Sequence, residues 1–256
     1  MGHTTPMPLI STAIDGSVAI LTLDDPDRRN AMTLDMCSEV EDALDELEAN
    51  PEVKALVVTG AGTAFCAGAD LTHLGDSEEE GLLAIYEGFL RVGRSPLPTI
   101  AAVNGAAVGA GMNLALICDV RLAGESARFD DRFLQIGIHP GGGHTWMFQN
   151  ICGPQATAAA VLFSEVLDGA EAERVGLAHR CVPDDELMAA AIEMACRTAT
   201  VPKELVLRTK RSLYDVRTMS TQQGAMLYEL GPQAHSARQP AFKEKIAALK
   251  ARVSSK

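Results

Sequence analysis

Two glycine-rich stretches carry the chemistry that can be read from this chain. Val103-Asn104-Gly105-Ala106-Ala107-Val108-Gly109-Ala110-Gly111 follows an apolar run, Thr99 to Val103, and leads into another, Met112 to Ile117. Gly60-Ala61-Gly62-Thr63-Ala64-Phe65-Cys66-Ala67-Gly68-Ala69-Asp70 follows a second strand-like run, Ala55 to Thr59. Glycine lets backbone come close to a ligand because no Cβ intervenes. The first N–H groups of a helix have no acceptor within it, and the helix dipole favours negative charge there. Each junction can therefore aim an N–H at a polarised oxygen. Two of them converging on one atom make an oxyanion hole, with backbone rather than side chains as the donors.

Three motifs together resemble the crotonase family, the enoyl-CoA hydratase/isomerase superfamily. They are AFCAGADL at 64–71, AAVNGAAVGAG at 101–111 and Pro140-Gly141-Gly142-Gly143. The resemblance runs over nearly the whole chain. It implies an α/β spiral of strand–strand–helix units in a single domain, 1–256, with a core over about 9–200. It also implies a helical C-terminal part, about 201–256, that packs against neighbouring subunits in a homotrimer or hexamer. The implied substrate is an acyl-CoA thioester, with coenzyme A entering as part of the substrate and no permanently bound cofactor. Its carbonyl becomes an enolate oxygen held by the N–H groups of Ala69 and Ala110. Ala67 and Asp70 flank the first donor on the coenzyme A side. Arg28 and Arg29, in a P-x-x-x-N-A turn, are implied phosphate contacts, or else loop arginines that merely balance the neighbouring aspartates. Phe242 and Lys245, in the F-x-E-K segment, are implied contacts to adenine and phosphate, or else belong to an ordinary terminal helix.

The resembled hydratases move protons with two glutamates. Their positions fall here on Asn113 and Phe133. An asparagine orients a water but takes no proton, and a phenylalanine does neither. Candidate replacements are Asp131, His139 and His144. If the strand through Phe129 alternates, Asp131 shares a face with Phe129 and Phe133. The two histidines flank the Pro-Gly-Gly-Gly turn and have a resting pKa suited to acid–base work. Two functions follow: an enzyme working through an enolate with other acid–base groups, or an acyl-CoA binding protein without hydratase activity. Trp146 reads as pocket wall or subunit packing, and His73 as a surface residue.

Composition narrows the field further. The chain has 256 residues and a formal net charge of −12, which argues against nucleic acid as a partner. Six cysteines lie scattered with no C-x-x-C pair, so neither a metal site nor a disulfide framework is expected, and the protein reads as cytoplasmic. No signal peptide and no membrane span are evident. Gly109-Ala110-Gly111 begins like a dinucleotide fingerprint, but Leu114 stands where close packing wants a small residue. The nucleophile elbow G-x-S-x-G is absent.

The elements that must position these residues follow from hydrophobic patterning. Strands are expected at 18–23, 53–59, 99–103, 118–123 and from 127. An amphipathic helix is expected over 34–49 with Thr33 as N-cap. A less regular segment, 71–93, contains a helix around Leu82 to Leu90. Helical composition runs from Gly153 to Ala178, with further helices over 184–199, 203–215, 220–230 and 240–252. Residues 1–8 read as a frayed leader.

Overall fold

The structure, a computed structural model, describes residues 8–70 and 79–254. Its central feature is two sheets between which the chain alternates. The larger has the order β1 (Ile10–Asp15), β2 (Val18–Leu23), β3 (Ala55–Gly60), β5 (Thr99–Val103), β7 (Val120–Gly124), β10 (Arg180–Val182). The smaller has the order β4 (Ala64–Cys66), β6 (Ala106–Val108), β8 (Arg128–Asp130), β9 (Leu167–Asp168). Only β1 with β2 and β8 with β9 are antiparallel. Each of β3, β5 and β7 is followed at once by a short strand in the other sheet. A helix then returns the chain after the first two of these pairs: α2 (Glu79–Arg94) after β4, and α3 (Ala110–Ile117) after β6. After β8 the chain reaches α4 (His144–Phe163) by way of a short 3-10 turn.

Burial explains why the strands read as continuous apolar runs. On the larger sheet, Val18, Ala55, Val57, Ile100, Ala102 and Leu122 form one cluster with Leu187, Ala191 and Ala195 of α6 (Leu187–Cys196). The alternate residues Leu21, Leu23, Leu56, Val58, Ala101 and Val103 face the main core. A strand covered on both faces loses the polar half of its period-two pattern. In α1 (Leu34–Ala49), Met36, Cys37, Val40, Leu44 and Leu47 are buried, and Thr33 Oγ1 accepts from the Met36 N–H at 3.1 Å.

Several expectations need correcting. The strand begun at Arg128 stops at Asp130. Arg132 takes a left-handed φ of 55°, held by an ion pair to Asp130, and Phe133 is helical. Asp131 therefore does not share a strand face with Phe133. Helix α4 begins at His144, ahead of the expected Gly153. Gly153 is instead its break, with Pro154 restarting the helix. Between Phe163 and Ala178 lie β9 and α5 (Gly169–Arg174), where an unbroken helical stretch was expected. Strands β1 and β10 were not foreseen. Helix α7 spans Lys203–Asp215, α8 Gln222–Arg238 and α9 Pro240–Ser254. His73 and the segment 71–78, like residues 1–7, lie outside the described residues.

Candidate active site

Strands β4, β6 and β8 of the smaller sheet are parallel neighbours, registered Cys66 with Ala107 and Val108 with Asp130. Their carboxyl ends open onto one edge, which is where ligands bind in open parallel sheets. That edge gathers Ala67 to Asp70 after β4, Gly109 and Ala110 after β6, and Asp131 after β8. Two asparagines fix it from below. Asn104 Nδ2 donates to the carbonyls of Gly60 at 2.9 Å and Gly62 at 3.1 Å, and its Oδ1 accepts from the Gly60 N–H. Asn30, fully buried with φ 58°, donates to Ala61 O and Ala64 O at 2.9 and 2.8 Å and accepts from the Asp25 N–H. Sequence reasoning passed over both; an Asn-Gly pair directly after a strand was the available signal for Asn104.

The first donor loop is built around Met32. Its N–H donates to Gly68 O at 2.7 Å, and its carbonyl accepts from the Asp70 N–H at 2.9 Å. This bridge spans Ala69 without using the Ala69 N–H, which donates to no carbonyl among the described residues. Ala110 opens α3, so its N–H belongs to the turn with no acceptor inside the helix. The two loops touch. Gly68 has φ 107°, and a Cβ there would stand 3.0 Å from Val108 O; a Cβ on Gly111 would collide with Cys66 O. Glycine is required at both positions for the two loops to approach this closely.

One turn into α3, Asn113 meets the start of α4. Asn113 Nδ2 donates to Gly141 O at 3.0 Å, and His144 Nδ1 lies 2.7 Å from Asn113 Oδ1. The other ring nitrogen, Nε2, lies 2.9 Å from Asp131 Oδ2. That contact is out of line for a hydrogen bond, and neither atom has another partner. All three side chains are buried, His144 at 1% exposure. The imidazole sits edge-on between Phe133 and Phe148, with ring centroids 5.2 and 5.7 Å away. The Gly109 N–H donates to Asp130 O at 3.0 Å, tying the Asp131 turn to the residue before Ala110. The cluster thus sets the Asp131 carboxyl group and the His144 imidazole 2.9 Å apart, the Asp131 turn being tied to the residue before Ala110. Among the described residues no cluster of His, Cys, Asp and Glu is able to hold a metal ion.

The remaining candidates are spread more widely. His139 is exposed, with Nδ1 2.7 Å from the carbonyl of Pro140, and stands apart from the cluster. Arg28 donates from Nε to Asp25 at 2.6 Å, the balancing role. Arg29 is exposed, pairs with no carboxylate among the described residues, and accepts from the Ala67 N–H at its carbonyl. Phe242 and Lys245 line a different cavity, of about 460 Å³, with Leu205, Arg208 and His235. Lys245 Nζ donates there to Thr200 O at 3.0 Å. The two groups of coenzyme A candidates do not meet within one chain. Trp146 is 64% exposed on α4. No helix among the described residues is long and apolar enough to cross a membrane.

Comparison with known proteins agrees with this architecture. Residues 13–250 match the family model described as enoyl-CoA hydratase/isomerase. A Mycobacterium tuberculosis protein named probable enoyl-CoA hydratase EchA14 is 47% identical over 249 residues, covering 94% of this chain and 96% of the relative. The crystal structure of enoyl-CoA hydratase from Bacillus anthracis superposes with a TM-score of 0.89 at 27% identity, covering 95% and 96% of the two chains. A monofunctional enoyl-CoA isomerase from M. smegmatis superposes with a TM-score of 0.73 at 31% identity, covering 86% and 99%.

Proposed function

The chain belongs to the enoyl-CoA hydratase/isomerase family, and from that membership we propose that it is an enzyme moving a proton beside the carbonyl of an acyl-CoA thioester. The observation that carries this reading is the Asp131–His144–Asn113 cluster at the edge where Ala69 and Ala110 present their N–H groups. The base removes a proton from the carbon next to the thioester carbonyl. The C–H electron pair becomes the enolate double bond, and the carbonyl pair moves onto oxygen, where the two N–H groups meet it. Returning the proton to a different carbon rebuilds the thioester and shifts the double bond. Alternatively, the water oxygen bonds to the β carbon as the double-bond pair moves into the enolate; the base takes one water proton and then delivers it to the α carbon as the carbonyl re-forms.

Asp131, whose Oδ2 accepts no hydrogen bond among the described residues, is the group proposed to take the proton. His144 stands beside it, with Nε2 2.9 Å from Oδ2. This pair would do the work assigned in the resembled hydratases to glutamates at the positions of Asn113 and Phe133. Arg29 and Ala67 are proposed on the coenzyme A side of the edge. Phe242 and Lys245 would serve the ligand of a neighbouring copy. Helix α8 supports a homotrimer or hexamer: it buries no residue in the single chain, and Met226, Leu227 and Leu230 are exposed on it.

The test is spectrophotometric. Crotonyl-CoA and a longer 2-enoyl-CoA should lose their conjugated thioester absorbance if water adds, and a 3-enoyl-CoA should gain it if the double bond shifts. Saturable change in either, reduced about 100-fold or more by Asp131→Asn, is the expected outcome. No change in any substrate, with the same thioesters still binding by calorimetry, would overturn the enzyme reading in favour of an acyl-CoA binding protein.

A further inference from the structure

The hydrogen-bond partners around His144 determine where its protons sit. Asn113 Nδ2 faces Gly141 O, which only accepts, so the amide cannot be turned end for end. Asn113 Oδ1 therefore faces His144 Nδ1 at 2.7 Å, and that nitrogen must carry a hydrogen. A neutral imidazole has one N–H, so a hydrogen on Nδ1 leaves Nε2 as the nitrogen without one, 2.9 Å from Asp131 Oδ2 and making no hydrogen bond with it.

We propose that Asn113 is a positioning residue that fixes a proton on His144 Nδ1 and thereby selects the tautomer of the ring that stands beside Asp131. Without an acceptor at Nδ1, a neutral ring would place its single proton on Nε2, the nitrogen 2.9 Å from Asp131 Oδ2. The link to turnover rests on the reading of function above; the proton placement does not.

The experiment is 15N NMR of the whole chain labelled at histidine, with the His144 signals among the six histidines assigned by loss in His144→Gln. The expected spectrum shows Nδ1 protonated. In Asn113→Leu, Nδ1 should become unprotonated and the single proton should move to Nε2. Asn113→Asp, which keeps an acceptor oxygen opposite Nδ1, should retain the protonated Nδ1. With a turned-over enoyl-CoA, Asn113→Leu should lower kcat about 100-fold and leave KM within about threefold. An unprotonated Nδ1 in the unaltered protein overturns the proposal outright, whether or not the leucine variant folds. An unchanged spectrum in a folded leucine variant also overturns it. Protonated Nδ1 together with absent turnover would sink the enzyme reading and leave the proton placement standing.

Discussion

The site has two halves made of different material. The half around Ala69 and Ala110 is backbone, shaped by where short strands end and by glycines that let two loops touch. The half around Asn113, Asp131 and His144 is side chain, drawn from α3, the turn after β8 and the start of α4. The first tolerates any residue whose backbone keeps its angles, so alanine serves at both donor positions. The second depends on residue identity at each place. On the proposed function, the charge-stabilising device is written into topology and the proton-moving device into particular residues.

That contrast can be broken experimentally. The largest expected effect is from Ala110→Pro, which deletes one donor N–H at the first helical position, where proline keeps the helix. Turnover should fall about 100- to 1000-fold with unchanged circular dichroism, because removing one preorganised donor costs that much elsewhere. A loss of twofold or less would mean that negative charge does not develop opposite Ala110. A smaller effect is expected beneath the site. Asn30→Ala removes two good donations to carbonyls and one acceptance, and should lower the unfolding free energy in urea by about 2–3 kcal/mol. The His144 proton placement should be unchanged in that variant; a shift would show that the two halves are coupled.

The smallest effect concerns pH. Burial pushes the Cys66 thiol, under the first donor loop, up to about 12, and does the same to Cys118. Unfolded thiols ionise near 9, so between about pH 9 and 12 the folded chain holds more protons than the unfolded one. Stability contributed by these thiols is complete below pH 9 and declines as pH rises through that window. Chemical denaturation at pH 8 and pH 10.5 should show the decline, and Cys66→Ala should lessen it.

The backbone half was open to sequence reading because glycine spacing after apolar runs reports backbone geometry directly. Thr33, Leu34–Ala49 and Lys203–Asp215 were equally plain, since capping and amphipathic spacing are local. The side-chain half was legible only as a set of residue types. Asp131 was tied to Phe133 by an alternation that Arg132 interrupts, and His139 looked no different from His144. Whether a histidine is buried against an amide 31 residues away is decided by tertiary packing. Strands β9 and β10, of two and three residues, fall below the length at which periodicity carries information.

The alternation of the chain between two sheets has a consequence for how the molecule assembles. Strands β4, β6 and β8 are three residues each, and each reaches its neighbour only after the chain has made an excursion through the larger sheet. Pairing between distant segments is slow because loop closure precedes any reward. The larger sheet, in which five of the six strands have five or six residues, is the part able to persist while the smaller one is still open. The reactive edge is then completed late in folding and is the first part released in partial opening. Amide hydrogens of Ala107 and Phe129 should consequently exchange with solvent by a lower-energy route than those of Val57 and Ala101, so that a tightly bound thioester would slow the former pair far more than the latter.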